Sequence, residues 1–294
     1  MKSIFVSLYM TIAALITVIA GQALWTSHDY LSWGGVLLAS GPFLMVITWL
    51  MIFRNVARTS DRLPTLIVLG AVGAALATWG YARGGSSLAP LLAIVAWAGY
   101  MLYAYWYSSF DRQPGKRLQV GNTLPDFELR DVSGNVVSSS SFSAQPTIWI
   151  FYRGNWCPLC MAQVKELVGQ YKQLQALGVR LALVSPQPHK KTMALARKFD
   201  APFDFLTDEG NKAARALGID HPNGLPMGMQ VLGYDSDTVL PTVIISDTCG
   251  RVLWVHETDN YRVRPEPEKY LAVLRDKGVV AGADRPLATE GGIR

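Results

Sequence analysis

The stretch Thr147–Cys160, with the sequence TIWIFYRGNWCPLC, decides the fold of the second half of this chain. Its first six residues are mainly β-branched and aromatic, which is typical of a buried strand. A helix is predicted from about Pro158 to Leu177, because apolar residues recur at helical spacing and Gly178 ends the pattern. The two cysteines of this stretch are therefore predicted to lie at a strand-to-helix turn.

The C-x-x-C spacing of Cys157 and Cys160 predicts a redox dithiol. Residues three apart on the first turn of a helix share one face, so the two sulfurs can form a disulfide. Cys157 falls at the positive end of the helix, which is expected to lower the pKa of its thiol. Pro158 suits the first helical position, where its missing N–H is not needed. We therefore expect Cys157 to attack and Cys160 to resolve.

The same cysteine pair has two alternative uses, as metal ligands or as a structural pair in the core. A zinc site needs four ligands, and neither Cys249 nor the histidines stand at a spacing that would complete one. A structural pair in the core is the other alternative, although a strand-to-helix turn is typical of redox sites. No haem, flavin or nucleotide motif is present, so we predict no bound cofactor and no metal. Cys249, beside Gly250 in a predicted hairpin turn, is either an additional resolving or intermolecular thiol or a replaceable turn residue.

Three further residues are candidates to support the chemistry of the dithiol. Trp156, packed against the turn, would restrict access to it. Arg153 either supplies a positive charge near Cys157 or is a solvated turn residue. Pro241 begins a late strand; if its peptide bond is cis, it could present backbone beside the dithiol and align a partner, and if trans it is an ordinary strand start.

The remainder of residues 121–280 alternates short strands with helices, which predicts an α/β domain whose mixed sheet is flanked by helices. The predicted strands and helices are 126–130, 135–138, 147–152, 158–177, 179–185, 190–199, 203–206, 211–217, 239–246, 251–256 and 266–277.

Residues 1–110 are predicted to form an α-helical transmembrane bundle. The four apolar stretches Ile4–Trp25, Leu31–Phe53, Pro64–Tyr81 and Leu88–Tyr107 carry no internal charge. Each is about 20 residues long, the length that a helix needs to cross the hydrocarbon layer. A cleaved signal peptide before a soluble helical domain is the alternative, but such a domain does not require three further apolar spans. A polar linker at 111–120 and a flexible tail at 281–294 complete the predicted organisation.

The charges of the loops predict an orientation. Seven Lys/Arg residues lie on the side of both termini, and only Arg83 lies on the other side. The positive-inside rule then places the second domain in the cytoplasm of a cell whose inner membrane holds the bundle, with the periplasmic or extracellular side as the alternative. The second half is nearly neutral and has no basic stripe with interleaved aromatic residues, so nucleic acid is not an expected partner.

Several ordered segments resemble the AhpC/TSA redoxins of the thioredoxin superfamily. Residues 121–129 (GNTLPDFEL) are similar to the opening hairpin of that family, and residues 152–160 (YRGNWCPLC) to the Tyr-Arg-Gly-x-Trp-Cys-Pro-x-Cys of its peroxiredoxin-like branch. Residues 184–187, 205–208 and 260–267 (NYRVRPEP) continue the resemblance, which covers about residues 118–278. It implies a thioredoxin-like fold and oxidoreductase or antioxidant activity through Cys157.

The chain departs from typical peroxiredoxins at three positions that bind and polarise the peroxide. Ile150 stands where they carry proline, Gly154 where they carry Thr or Ser, and their late-strand arginine falls near Pro241. The leading hypothesis is therefore a membrane-anchored thiol–disulfide oxidoreductase that exchanges electrons with a protein or small-molecule disulfide. The alternatives are a peroxiredoxin-like thiol peroxidase with a hydroperoxide substrate and a thiol reductant, and a non-enzymatic membrane redox sensor or scaffold.

Overall fold

A computed structural model describes residues 1–112 and 118–280. Part of the predicted linker and the whole predicted tail lie outside these residues. The described chain begins with helices α1 (Lys2–Ser27), α2 (Tyr30–Phe53), α3 (Pro64–Ala82) and α4 (Leu88–Met101), and α4 continues as a π-helical segment, Leu102–Tyr107. These four helices agree with the four predicted apolar stretches and are long and apolar enough to cross a membrane by length and composition.

Small residues bring α2 and α3 into backbone contact. A Cβ atom added to Gly35 would lie 2.5 Å from the backbone nitrogen of Ala77, and one added to Gly73 would lie 2.6 Å from the carbonyl oxygen of Gly35. Helices in apolar surroundings commonly associate through such small residues, because close backbone approach maximises dispersion contacts. Many large apolar side chains instead point away from the bundle, among them Leu15, Val18, Met45, Val68, Leu91 and Ile94.

The second domain is built on a seven-stranded mixed sheet. Its strands are β1 (Glu128–Arg130), β2 (Val136–Ser138), β3 (Thr147–Phe151), β4 (Arg180–Ser185), β5 (Asp204–Thr207), β8 (Thr242–Ser246) and β9 (Val252–Glu257). Their order in the sheet is β2-β1-β5-β4-β3-β8-β9. Strands β3, β4 and β5 run parallel, and the other neighbours pair antiparallel. Helices α5 (Pro158–Ala176), α6 (His189–Phe199), α7 (Lys212–Leu217) and α8 (Pro267–Asp276) flank it. This is the predicted thioredoxin-like arrangement.

The central strand β3 is buried along its whole length, and its side chains contribute to the cores on both faces of the sheet. Ile148 and Ile150 belong to the core that contains α5 and α8, whereas Trp149 and Phe151 belong to the core on the opposite face. This two-sided burial explains the uninterrupted apolar run in the sequence. It also fixes the position of the turn that follows, at the carboxyl end of the strand.

The predicted strand 239–246 is wrong as a single element. Thr238–Val239 is a separate strand, β7, which pairs antiparallel with β6 (Asp220–His221). The main sheet resumes at Thr242, opposite Phe151. Pro241 lies at the break because it has no N–H to donate to either ladder.

One end of the bundle rests on the second domain. The side chain of Lys165 on α5 donates to the carbonyl oxygen of Phe53 at 3.2 Å, and Arg58 forms an ion pair with Glu166. The hydroxyl groups of Tyr103 and Tyr261 are hydrogen-bonded to each other. A continuous cluster of buried apolar residues therefore runs from the aromatic side chains of the bundle into the core beneath α5.

Candidate active site

Cys157 and Cys160 lie on the first turn of α5, as their spacing predicts. Cys157 is the N-cap residue, and its Sγ accepts a hydrogen bond from the backbone N–H of Cys160 at 3.4 Å. Pro158 is the first helical residue. Both cysteines are reduced and buried. The side chains also hydrogen-bond to each other, so the structure brings the two thiols together.

Arg264 supplies a buried positive charge to both sulfurs. Its Nη2 lies 3.3 Å from Sγ of Cys160 and 4.0 Å from Sγ of Cys157. Nη1 donates to Oε1 of Gln163 at 2.7 Å, and Gln163 in turn donates to the hydroxyl of Tyr270 at 3.1 Å. The guanidinium is therefore held in place from α5 and α8.

The sequence did not single out Arg264 as a site residue. It lies in the segment NYRVRPEP that follows β9, more than 100 residues after the cysteines. The only available signal was that this segment resembles a motif of the family. The late-strand position carries Pro241, as expected, but Arg264 from a different segment occupies the space beside the sulfurs.

The two thiols differ in acidity, and not in the predicted sense. Burial raises the pKa of Cys157 well above its ordinary value, and the hydrogen bond to Cys160 raises it further. Burial also opposes ionisation of Cys160, but the hydrogen bond from Cys157 and the charge of Arg264 outweigh it and lower the pKa of Cys160 to about 5. The pair thus shares one negative charge, which resides mainly on the sulfur nearer to Arg264. The pKa of the Arg264 guanidinium is raised, since the charge on the sulfurs outweighs its burial.

The turn before Cys157 is shaped by glycine and tryptophan. Gly154 has a φ of +139°, and a Cβ atom there would lie 2.8 Å from two atoms of the Trp156 ring. A side chain at this position would therefore clash with the ring and strain the backbone. This explains why Gly154 stands where typical peroxiredoxins carry Thr or Ser.

Arg153 is buried, in contrast to the solvated alternative. Its Nη2 donates to the carbonyl oxygen of Gly224 at 2.6 Å, and its guanidinium lies 4.6 Å from the ring of Trp156. Its charge favours the thiolate form of both cysteines, although less than that of Arg264. Arg153 and Trp156 thus form one wall of the site.

A cavity of about 290 Å³ leads to the dithiol between the two domains. Cys157, Trp156 and Pro158 line it from the second domain, and residues of α1, α2 and the π-helical segment line it from the bundle. Cys157 is only 2% exposed and Cys160 is fully buried. The nearly buried Cys157 therefore lines a cavity instead of lying open on the surface.

The remaining candidate residues lie elsewhere. Pro241 is buried with a trans peptide bond, and its carbonyl oxygen accepts from Nη1 of Arg112 at 3.5 Å. The cis geometry considered for it is therefore not adopted. Cys249 lies exposed in the turn between β8 and β9, where its N–H donates to Oδ1 of Asp247 at 2.8 Å.

Comparisons with known proteins agree with this architecture. Residues 120–255 match the model of the AhpC/TSA family. Peroxiredoxin Q, chloroplastic, of Sedum lineare is 32% identical over 99 residues, which cover 34% of this chain and 53% of that protein. The Suaeda salsa protein of the same name is 29% identical over 129 residues, covering 43% and 60%. The chain thus spans about half the length of these relatives.

Solved structures are also similar to part of this chain. They include peroxidoxin BcpB from Mycobacterium tuberculosis, with 23% identity and a TM-score of 0.46, covering 54% of this chain and 97% of that one. Reduced Prx3 from Vibrio vulnificus in complex with hydrogen peroxide aligns with 20% identity and a TM-score of 0.47, covering 53% and 99%. The second domain, residues 118–280, is named the redoxin domain below, after the AhpC/TSA family model that its residues 120–255 match.

Proposed function

We propose that this chain is a membrane-anchored thiol peroxidase in which Cys157 reduces a hydroperoxide and Cys160 resolves the product. The observation that carries the proposal is the access to Cys157, which is buried and reached through a cavity of about 290 Å³. A hydroperoxide can enter such a space, whereas a disulfide on a folded protein surface cannot reach the sulfur without rearrangement. The peroxiredoxin names of the relatives favour the same chemistry.

The first step places the shared charge on the attacking sulfur. A proton moves from Cys157 to Cys160 along their hydrogen bond, and the Cys157 thiolate attacks the distal oxygen of the hydroperoxide. The O–O bond breaks, an S–O bond forms, and the alkoxide takes the proton from Cys160. Cys157 is now a sulfenic acid and the substrate has become an alcohol.

The second step closes the disulfide. The Cys160 thiolate attacks the Cys157 sulfur, the S–O bond breaks, and the departing hydroxide is neutralised to water by a proton from a buffer acid or hydronium ion of the solvent. Two electrons have passed from the dithiol to the peroxide. Two equivalents of a cellular thiol, or one dithiol, then reduce the Cys157–Cys160 disulfide, are themselves oxidised to a disulfide, and restore the pair.

Arg264 takes the part that the arginine of typical peroxiredoxins plays. Its guanidinium contacts both sulfurs and can follow the negative charge from Cys160 to Cys157 without moving far. Because the site is buried, this charge is worth more than it would be in water.

Thiol–disulfide exchange is the second candidate. A C-x-x-C pair at a helix N-terminus supports it, since that arrangement stabilises a thiolate and permits an intramolecular disulfide. The trans Pro241 and the burial of Cys157 count against a protein disulfide as the substrate.

The bundle is proposed to cross the inner membrane, with the redoxin domain on the cytoplasmic side. The support is the length and apolar character of the four helices and the excess of Lys/Arg on the side of the redoxin domain. The periplasmic or extracellular side is the alternative. A reporter fused after the last residue distinguishes the two.

The peroxidase proposal is tested with the full chain in detergent or lipid. Fully reduced protein is mixed with hydrogen peroxide or an organic hydroperoxide, and the Cys157–Cys160 disulfide is followed by mass spectrometry. We expect rapid disulfide formation in the native chain and a trapped Cys157 sulfenic acid in Cys160→Ser. If both peroxides leave the dithiol reduced while a small disulfide oxidises it, exchange replaces peroxidase as the function.

A further inference from the structure

We propose that the cavity between the bundle and the redoxin domain binds a single-chain carboxylate amphiphile, a long-chain fatty acid, with its carboxylate at Arg262 and Arg153. The inference deepens the proposed function, because it makes a fatty-acid hydroperoxide the substrate class. The binding site itself follows from the cavity lining and can be tested without turnover.

The walls of the cavity are apolar and come largely from the bundle. The side chains that the bundle contributes include Val6, Met10, Ile47, Leu50 and Met51. Met51 is 48% exposed on the outer surface of α2, so the cavity extends to the surface that would face lipid. An acyl chain in the bilayer could therefore enter from the side without passing through water.

Two buried arginines line the same cavity. Arg262 is 2% exposed and Arg153 is 4% exposed. Arg262 donates from Nη2 to the hydroxyl of Ser108 at 2.5 Å, but its Nε and Nη1 have no acceptor among the described residues, and neither does Nε of Arg153. Unpaired buried donors of this kind are rare and indicate an absent partner.

The positive charge at the cavity exceeds the negative charge. No ion pair in the described part of the chain involves Arg153, Arg262 or Arg264. The dithiol carries one negative charge, which pairs with Arg264. Arg153 and Arg262 then have neutral partners: each donates one hydrogen bond to a neutral oxygen, and their guanidinium groups lie 4.6 Å from the Trp156 ring and 5.0 Å from the Tyr103 ring respectively. Burying two uncompensated charges is unfavourable, so an anion would be strongly attracted.

A fatty acid combines the two properties that this cavity requires. Its carboxylate accepts the unpaired N–H groups, and its chain fills the apolar wall formed by α1 and α2. The volume of about 290 Å³ lies at the small end of ligand pockets, which suits part of one acyl chain better than a two-chain lipid. A hydroperoxide group on such a chain would be carried to Cys157, which lines the same cavity.

The binding site is tested with oleate, which has no peroxide and cannot turn over. The full chain in phosphatidylcholine nanodiscs is alkylated with iodoacetamide, and labelling of Cys157 is resolved from Cys249 by mass spectrometry. We expect oleate to protect Cys157 and methyl oleate to protect it less, because the ester carries no charge. In Arg262→Gln the protective affinity of oleate should fall by roughly tenfold, the usual effect of losing a charge-assisted hydrogen bond, with little change for the ester.

A matched pair of substitutions on α2 tests the chain-binding wall. Met51→Trp should fill the mouth of the cavity and abolish protection, whereas Met45→Trp should not, since Met45 is 73% exposed and does not line the cavity. If Arg262→Gln does not fold, these two α2 variants still test whether oleate binds in the cavity. Equal protection by oleate and its methyl ester, or protection by dioleoyl phosphatidic acid instead of oleate, would overturn the assignment.

Turnover separates this inference from the proposed function. With linoleic acid hydroperoxide as substrate, Met51→Trp should lower the rate relative to that with hydrogen peroxide, and Met45→Trp should leave the ratio unchanged. If oleate protects Cys157 but no hydroperoxide is consumed, the binding site stands and the peroxidase proposal fails. If hydroperoxides are consumed but oleate gives no protection, the peroxidase proposal stands and the fatty-acid binding site is ruled out.

Discussion

The bundle and the redoxin domain bury their apolar residues in opposite ways. In the redoxin domain, β3 is enclosed on both faces and large apolar side chains gather inside. In the bundle, small residues such as Gly35 and Gly73 occupy the helix contacts, and many large apolar side chains face outward. The first pattern is driven by exclusion of water, whereas the second is typical of helices that associate in apolar surroundings.

The candidate active site lies where these two regions meet. The redoxin domain supplies Cys157, Cys160 and Arg264, which are the groups that we propose react or carry charge. The bundle supplies much of the apolar wall through which a substrate would approach. We therefore expect substitutions of the reacting groups in the redoxin domain to abolish the reaction. Substitutions in the bundle should instead alter access of the substrate to Cys157 or the stability of the chain.

The largest effect is expected from Cys157→Ser. Because the proposed nucleophile is removed, the rate of hydroperoxide consumption should fall by a factor on the order of 1,000 or more. Peroxide consumption by the purified full chain measures it. Cys249→Ser is the matched control, since Cys249 is exposed in a turn of the same domain. A similar loss in both variants would mean that the reaction is not confined to the dithiol.

A smaller but still large effect is expected from Arg264→Met. The variant removes the guanidinium beside both sulfurs, so the pKa of the dithiol should rise and the rate at neutral pH should fall by roughly 10- to 100-fold. The loss should diminish at alkaline pH, where the thiolate forms without help. Arg264→Lys, which retains the charge, should restore part of the rate. A pH-independent loss would show that Arg264 acts through packing alone.

The native chain should show its own pH dependence. Because the pKa of Cys160 is lowered to about 5, the shared thiolate is present above that pH and is lost as the pH falls through it. The ultraviolet absorbance of the thiolate should therefore persist from neutral pH down to about pH 5 and then disappear. Cys160→Ser supplies the baseline. A midpoint near the ordinary cysteine value would contradict the role given to Arg264.

The smallest effect is expected at the ion pair that ties the two regions together. Arg58 follows α2 and pairs with Glu166 on α5, and both side chains are partly exposed. Such pairs contribute about 0.2–1 kcal/mol, so Arg58→Ala, Glu166→Ala and the double variant should differ little in unfolding free energy. A coupling energy well above this range would mean that the junction depends on this contact more than on its buried aromatic residues.

Most elements of the fold were predictable because their signals are local. The four apolar helices, the strand before the dithiol and the helix after it follow from hydropathy, residue type and spacing within short windows. The prediction failed at 239–246, where two separate ladders meet at Pro241. Nothing in that short apolar run indicates that its first residues pair with β6.

By itself, the sequence determined that a dithiol stands at the N-terminus of a helix and that an apolar helical region precedes it. Both conclusions rest on patterns among residues that are close together in the sequence. Only the tertiary structure decided which sulfur carries the charge, because Arg264 approaches from more than 100 residues away and lies nearer to Cys160. The route to Cys157 was likewise decided by packing, since the cavity exists only where α1 and α2 meet the redoxin domain.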